Sequence, residues 1–303
     1  MATEKERVHI PVLLSEVLEN LSPAPGQFFV DCTAGEGGHS IPLAKLTAPN
    51  GKVLAIDADP DELEVLKQKI DDAGLASVIT AVHGSYVDIA RIVAESGLGA
   101  PNGILFDLGL SSWQLERSGR GFTFQKNEPL DMRFNSLDET RPTAAEIINN
   151  SSCEHLAWIF ENYGEEKNAK KISQEIVAER KNGPINTTGN LVNIIFSISG
   201  IGRKINPSTK VFQALRIAVN GELENIEQGL ESARKVSAPN ARIAVISFHS
   251  LEDRLVKKTF KRWNNENLGI LINKKVIKPS REESRDNPRS RSAKLRIFQV
   301  IKT

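Results

Sequence analysis

Short apolar segments alternate with helix-like segments over the first third of the chain, and this alternation constrains the possible folds most. Four apolar segments bounded by turn residues read as buried strands: 27–31, 51–57, 78–82 and 103–107. Between the second and third of these, Leu63, Leu66 and Ile70 recur at helical spacing. Strands that alternate with helices in this way form βαβ units, so the sequence predicts an α/β fold whose parallel sheet is covered on both faces.

The pattern changes after about Ser118. Two segments that begin at Thr143 and Ser151 fit helix-opening capping boxes, because each has Glu three residues later. Helices are predicted at 156–163, 165–181 and 191–198, and no convincing strand interrupts them. We therefore expect residues 118–209 to form an inserted helical subdomain.

Sheet-like segments return nearer the end of the chain. An apolar stripe from Val211 to Leu230 predicts one long helix, and the apolar segment 241–248 predicts a strand that leads into a helix at 251–263. The alternating segment 293–301 predicts an edge or antiparallel strand. The α/β domain is thus expected to be discontinuous and to comprise residues 1–117 and 210–303.

Composition limits the class of protein. The chain has 303 residues, of which 40% are hydrophobic and 25% charged, which is typical of a globular protein of about two domains. No apolar run reaches the roughly 18 residues that would predict a membrane span. Residues 1–7 carry no targeting pattern, and Cys32 and Cys153 are too far apart to suggest a metal site. A cytoplasmic protein without a structural metal is expected.

Positive charge is concentrated near the end of the chain. Ten Lys and Arg against three Asp and Glu lie between Lys274 and Thr303, although the whole chain has a net charge of only +1. Such a segment suggests contact with a polyanion, but it is equally compatible with a solvated surface loop.

The most distinctive local chemistry lies in the glycine-rich segment 33–40, between the first predicted strand and its helix. Backbone N–H groups at such a turn can approach a ligand closely. Asp57, 22 residues after Gly35, lies where an acidic residue can accept hydrogen bonds from ribose hydroxyls. The third glycine of a dinucleotide fingerprint is replaced by Ser40, and no P-loop motif exists, so S-adenosylmethionine suits the loop better than a pyrophosphate. A tight turn without a ligand is the alternative.

Three aspartates follow predicted strands. Asp31, Asp57 and Asp107 each end an apolar segment. Ligands of open α/β sheets bind beyond the carboxyl ends of the strands, so these carboxylates are expected to converge on one crevice.

Longer motifs extend this interpretation to nearly the whole chain. In order, they are His9-Ile-Pro-Val-Leu, Gly35-Glu-Gly-Gly-His-Ser, Asp107-Leu-Gly-Leu-Ser-Ser, Gly119-Arg-Gly-Phe, Pro129-Leu-Asp-Met-Arg, Tyr163-Gly-Glu-Glu, Phe212-Gln-Ala-Leu-Arg with Asn220, Phe248-His-Ser-Leu-Glu-Asp-Arg and Asn287-Pro-Arg-Ser-Arg-Ser-Ala-Lys-Leu-Arg. With these motifs the sequence resembles the ribosomal RNA small-subunit methyltransferase H family, also called MraW.

This resemblance implies a class I, Rossmann-like methyltransferase domain with an inserted helical subdomain for substrate recognition. It also implies S-adenosylmethionine as cofactor and, as substrate, the exocyclic N4 of a cytidine in the decoding region of 16S rRNA, within the small ribosomal subunit. The cofactor-binding residues implied in this chain are Gly37, Gly38 and His39 for the methionine end, Asp57 for the ribose, Tyr86 beside the adenine, and Asp107 and Gln114.

Methyl transfer from a sulfonium needs no covalent enzyme intermediate, which agrees with the lack of a nucleophile–base constellation in the sequence. An oxygen that accepts an N4–H bond would stabilise the charge that develops on the acceptor nitrogen. We assign this catalytic role to Asp107 or to a neighbour within 108–112. His249 is interpreted either as a substrate contact or as part of a helix cap.

Four basic residues near the end of the chain are the candidates for phosphate contacts: Arg289, Arg291, Lys294 and Arg296. Two functions from other classes remain open. A nicotinamide-dependent oxidoreductase would share Asp57 and the glycine loop, and a nucleic-acid-binding scaffold would share the basic segment.

Overall fold

The computed structural model describes residues 11–200 and 206–301. The predicted features at residues 1–7 and at His9 therefore lie outside the described residues. The chain divides into two compact units, one formed by residues 1–109 and 224–303 and the other by residues 110–223.

The described residues of the first unit are built on a seven-stranded sheet. Its strands are β1 (Phe28–Asp31), β2 (Lys52–Asp57), β3 (Ile79–His83), β4 (Gly103–Asp107), β5 (Arg242–Ser247), β6 (Gly269–Leu271) and β7 (Lys294–Val300). They lie in the order β3-β2-β1-β4-β5-β7-β6. The first five are parallel, whereas β7 runs antiparallel between β5 and β6. This is the doubly wound arrangement of the class I methyltransferase fold that the sequence predicted.

In the part of the chain that the structure describes, seven α-helices accompany the sheet strands in sequence: α1 (Leu14–Leu21), α2 (Ser40–Thr47), α3 (Pro60–Asp72), α4 (Ile89–Ser96), α11 (Glu222–Val236), α12 (Ser250–Asn265) and α13 (Arg281–Asp286). The central strands β1, β2, β4 and β5 are buried along almost their whole length. A strand buried in this way has both faces covered, which explains why these segments are continuous apolar runs without alternation.

The strand register brings one end of four strands together. Asp31 of β1 pairs with Ala55 of β2 and with Leu105 of β4, and Asp107 pairs with Ile246 of β5. Because these strands are parallel, the loops that follow them emerge at one edge of the sheet. The strand order reverses between β1 and β4, and this is where doubly wound sheets bind their ligands.

The second unit is helical. It contains α5 (Ser112–Glu116), α6 (Ala144–Asn150), α7 (Cys153–Asn162), α8 (Ala169–Glu179), α9 (Thr188–Ser199) and α10 (Ser208–Asn220). Their apolar faces form a separate core that includes Ile148, Phe160, Ile172, Leu191 and Leu215. Within the described residues of this unit, extended pairing is limited to an isolated bridge between Pro129 and Thr187.

The long helix expected from Val211 to Leu230 is two helices. Gly221 adopts a left-handed φ of +62° between α10 and α11, and the apolar stripe continues across this break. Helix α10 packs against α6, α7 and α9, so it belongs to the helical unit. The two boundaries therefore lie at 109/110 and 223/224 rather than at the expected 117/118 and 209/210.

Smaller differences have local causes. Strand β6 has three residues, too few for a periodic pattern, and β7 is antiparallel but not an edge strand because β6 covers it. The capping box at Thr143 is confirmed. The predicted box at Ser151 is wrong by one residue, because Ser152 accepts the His155 N–H and caps α7. Within the described parts of the chain, no helix is both long and apolar enough to cross a membrane.

Candidate active site

The glycine loop between β1 and α2 is fastened to the end of β2. The Gly35 N–H donates to Asp57 Oδ2 at 2.7 Å, and the Ala34 N–H donates to the Ile56 carbonyl at 2.9 Å. Gly37 has a φ of +89°, and a Cβ atom there would lie only 2.7 Å from Leu66 Cδ1 of α3. Glycine is therefore favoured at position 37, because the positive φ strains any other residue and a Cβ would also push the end of the Leu66 side chain aside.

Asp57 keeps capacity for a ligand. Its Oδ1 accepts the Asp59 N–H at 2.9 Å and its Oδ2 accepts the Gly35 N–H, which leaves a further acceptor position on each oxygen. Burial raises the pKa of Asp57 to about 6, although these two hydrogen bonds favour the ionised form. The side chain thus has acceptor positions for hydroxyl groups, and its predicted role toward a ribose stays a prediction.

Asp31 serves the protein itself. Its Oδ2 accepts the Ser40 hydroxyl at 2.7 Å, and its Oδ1 accepts the Thr33 N–H at 3.2 Å. Burial raises its pKa to about 6, and the Ser40 and Thr33 hydrogen bonds oppose that rise. Of the three carboxylates expected to converge, this one ties the end of β1 to the first residue of α2.

Asp107 is the least satisfied of the three. Its backbone N–H donates to Thr33 Oγ1 at 2.6 Å, which fixes the end of β4 beside the glycine loop. Its side chain is 22% exposed. Its Oδ1 is buried and accepts no hydrogen bond within the described residues. Burial raises the pKa of Asp107 well above its ordinary value, and the negative charges of Asp31 and Glu252 raise it further.

His39 lies directly against Asp107. Its ring is buried, with Nε2 3.0 Å from the Val12 carbonyl oxygen and Nδ1 3.6 Å from Asp107 Oδ2. The preceding Gly38 lies in the turn that leads into α2 and is partly exposed. The glycine loop and the end of β4 are therefore joined by side-chain as well as backbone contacts.

Tyr86 starts a short 3-10 helix after β3. Its ring meets the Phe106 ring edge-on at 5.6 Å, and a Cβ at Gly229 would lie 2.6 Å from it. Tyr86 is thus held by β4 and α11 within the first unit, at the edge of the sheet where Asp57 and Asp107 lie.

Gln114 belongs to the helical unit. Its side-chain oxygen accepts the Ser111 N–H at 3.2 Å, and its own N–H donates to Ser111 Oγ at 3.0 Å. These bonds form the capping box of α5. The role of Gln114 toward a cofactor stays a prediction.

Glu252 was missed as a member of the site. It is wholly buried in the first turn of α12, and its Oε2 accepts the Phe248 and His249 N–H groups at 2.7 and 3.1 Å. His249 Nδ1 accepts the Glu252 N–H at 3.4 Å, so His249 caps the helix. The spacing of His249 and Glu252 is that of a capping box with His in the place of Ser, and this signal could have been recognised.

The four candidate phosphate contacts divide into two pairs. Lys294 and Arg296 bind Asp253 of α12 at 3.1 and 2.7 Å and are partly buried. Arg289 and Arg291 lie exposed on the short 3-10 helix 288–292.

Comparison with known proteins identifies the family. The family model of the MraW methylase family matches residues 6–301. The chain belongs to this family. A "Ribosomal RNA small subunit methyltransferase H" from Thermosipho melanesiensis is 46% identical, over 97% of this chain and 98% of the relative. A protein of the same name from Coprothermobacter proteolyticus is 44% identical, over 96% and 95%.

A solved rRNA methylase from Streptococcus thermophilus covers 98% of this chain and 99% of its own, with 10% identity and a TM-score of 0.47. As a member of the MraW methylase family, the chain is a methyltransferase whose cofactor is S-adenosylmethionine. Family membership thus decides against both the oxidoreductase and the scaffold.

The residues at the sheet edge fit this cofactor. Asp57 has acceptor positions for ribose hydroxyls, and Gly35 and Gly37 adopt positive φ angles that let the loop pack closely against α3. Asp107 adds a partly exposed carboxyl group whose Oδ1 is buried without a hydrogen bond in the described structure. A cationic ligand with several donor groups matches this acceptor-rich edge.

Proposed function

We propose that this protein methylates the exocyclic N4 of a cytidine in the decoding region of 16S rRNA, within the small ribosomal subunit. The observation that carries the proposal is the Asp107 carboxyl group at the end of β4, which contacts the glycine loop and is still partly exposed. The names of the relatives support a small-subunit rRNA substrate.

In this proposal Gly37, Gly38 and His39 hold the methionine end of the cofactor, and Asp57 accepts the ribose hydroxyls. Tyr86 lies beside the adenine, and Asp107 and Gln114 complete the contacts. The cofactor supplies an electrophilic methyl group on a positively charged sulfur, which keeps the bonding electron pair when the methyl group leaves. No metal takes part in the proposed reaction.

Asp107 is the proposed catalytic residue. The N4 lone pair of cytosine is delocalised into the ring, so this nitrogen is a weak nucleophile while it stays planar. A carboxylate that accepts one N4–H bond favours the pyramidal form and stabilises the positive charge that develops on nitrogen. The same bond orients the amine, and orientation of the reacting atoms can supply about 7–11 kcal/mol of the barrier reduction.

The RNA must present its base unpaired, because an amine inside a helical stack cannot reach a pocket at the edge of a sheet. The exposed Arg289 and Arg291 are the first candidates for its phosphates. Lys294 and Arg296 are already paired with Asp253, so their contribution to RNA binding should be smaller.

The test is methylation of small subunits and of naked 16S rRNA, both taken from cells that lack the gene, followed by nucleoside mass spectrometry. We expect N4-methylcytidine to form with the wild-type protein. Asp107→Asn should lower the turnover at least 100-fold. Asp88→Asn, at an exposed acid on the 3-10 helix of Tyr86, is the matched control and should retain full activity.

Methylation at another atom or of another RNA would contradict the proposed substrate. Full turnover by Asp107→Asn with unchanged cofactor affinity would remove Asp107 from the chemistry.

A further inference from the structure

The tautomer of His39 is set by its surroundings. Nε2 lies 3.0 Å from the Val12 carbonyl oxygen, which can only accept a hydrogen bond. The adjacent Leu13 N–H donates to Glu283 Oε1 at 2.8 Å, so this stretch of backbone is anchored. Nε2 must therefore carry a proton, and Nδ1 is the nitrogen that faces Asp107.

Nδ1 and Asp107 Oδ2 lie 3.6 Å apart, and His39 is almost completely buried. If the ring were neutral with its proton on Nε2, the Nδ1 lone pair and a carboxylate oxygen would lie 3.6 Å apart, at a site that is buried on the His39 side and only 22% exposed on the Asp107 side. Such an arrangement is costly in a medium of low dielectric. One proton between the two groups removes the repulsion.

The charges around the pair favour a proton there. Asp31 at the end of β1 and Glu252 at the start of α12 both place negative charge near Asp107, whereas the Cys32 thiol beside Asp31 stays neutral because burial raises its pKa well above the ordinary value. A protonated His39 would balance part of this charge. It would let Asp107 remain an acceptor although its environment disfavours ionisation.

We propose that His39 is a positioning residue that carries a proton on both ring nitrogens, forms an ion pair with Asp107, and thereby holds Asp107 as the ionised hydrogen-bond acceptor for the reacting amine. This inference rests on the proposed function. The proton that the methylated amine loses passes to Asp107, and His39 keeps its own proton on Nδ1. The pair then holds two protons and returns one to solvent after product release.

The first test needs neither cofactor nor substrate. In the full-length chain labelled with ¹⁵N-histidine, His39→Asn identifies the His39 signals by their loss. We expect wild-type His39 to show a proton on both ring nitrogens between pH 6 and 8. In Asp107→Asn the ring should become neutral, with the proton on Nε2 only. A neutral wild-type ring over this range would overturn the inference.

The second test is the pH profile of turnover. Asp107 must be ionised to accept the amine proton, so activity rises with pH through the pKa of Asp107. Without the imidazolium this pKa should rise, and His39→Asn should shift the acidic limb upward by at least one pH unit. A purely structural role for His39 would lower activity at all pH values and leave the limb in place, and that result would contradict the proposal.

His83→Asn is the matched control, because His83 Nε2 also lies near a carbonyl oxygen, that of Ala58 at 3.1 Å, but its ring is exposed. The acidic limb of the turnover profile of His83→Asn should stay at the wild-type pH. The two proposals fail differently. If the wild-type protein methylates no RNA, the proposed function fails and the NMR result still stands; if it methylates N4 while His39 is neutral, only the inference fails.

Discussion

At the scale of single residues, the three aspartates that end strands β1, β2 and β4 make different contacts. Asp31 is bound by Ser40 and Thr33 and organises the loop, whereas Asp57 holds Gly35 and retains acceptor positions. Asp107 contacts His39 and has the fewest hydrogen bonds from the protein. Burial raises the pKa of all three carboxyl groups, so ionising each of them costs more free energy than it would in water, and hydrogen-bond donors reduce this cost.

The pKa of about 6 at Asp57 predicts a pH-dependent cofactor affinity. Ribose hydroxyls bind the ionised carboxylate better, so binding lowers this pKa and weakens as the pH falls below about 6. We expect the affinity for S-adenosylhomocysteine to rise about tenfold from pH 5 to pH 7 and then level off, as measured by calorimetry.

Asp57→Asn should weaken binding about tenfold or more and abolish this pH dependence. Asp61→Asn, at an exposed acid in the first turn of α3, should do neither. An affinity that stays flat between pH 5 and 7 in the wild-type protein would contradict the role assigned to Asp57.

At the scale of elements, the site depends on how closely the glycine loop approaches α3. Gly37 packs where a Cβ would touch Leu66 and Ile41, and Glu36 of the same loop pairs with Lys69 of α3.

The two elements that bear basic residues near the end of the chain make different contacts. Strand β7 uses Lys294 and Arg296 to bind Asp253 of α12, whereas Arg291 of the 3-10 helix before it donates to the Ser284 carbonyl oxygen and is exposed.

Gly37→Ala tests the loop. The left-handed φ alone costs an alanine about 1–2 kcal/mol. The overlap with Leu66 should add about 1–3 kcal/mol. Gly74→Ala is the control, because Gly74 also has a positive φ, of +66°, but has open space around its Cβ position. We expect urea unfolding to show a clearly larger loss for Gly37→Ala, together with weaker cofactor binding. Equal losses of unfolding free energy in the two variants would mean that the close contact with Leu66 does not contribute to stability.

The basic segment is tested by the salt dependence of RNA binding. Each phosphate contact to a single strand contributes about 0.7 to the slope of log K against log salt. Replacing Arg289 and Arg291 together by alanine should therefore reduce the slope by about 1.4. The Lys294→Ala/Arg296→Ala protein should change the slope less and lose more thermal stability. An unchanged slope for the first pair would exclude these arginines from phosphate contact.

At the scale of the whole molecule, two compact units have separate cores. The chain enters the helical unit after Gly109 and leaves it at Leu223, so the sheet is completed by residues from both ends of the sequence. Gln114 lies on α5 of the helical unit, so its proposed role is tested separately from the roles of the residues in the first unit.

Hydrogen exchange with and without S-adenosylhomocysteine tests these proposed roles. We expect slower exchange of amides within 33–40, 57–59 and 107–109, since these segments surround the proposed site. If Gln114 binds the cofactor, amides at 111–117 should be protected as well. Amides at 169–179 in α8 serve as the internal control. Protection of the first three segments without 111–117 would remove Gln114 from the site.

The sequence alone determined the fold class, because buried parallel strands must be apolar along their whole length and their spacing leaves room for crossover helices. It also placed Asp57 and Asp107 at strand ends, and its long motifs indicated the family. It did not determine the break at Gly221, because the apolar period continues through a glycine that ends one helix and begins another.

Only the tertiary structure decided which polar groups satisfy one another. The Ser40 hydroxyl donates to Asp31, and Lys294 and Arg296 are paired with Asp253. The His39 ring contacts both the Val12 carbonyl oxygen and Asp107. These partners lie from 9 residues apart (Asp31 and Ser40) to 68 residues apart (His39 and Asp107). Local patterns indicate which residue types can ionise or hydrogen-bond, but burial and the direction of each donor depend on packing between distant segments, and these decide which carboxylate stays available for chemistry.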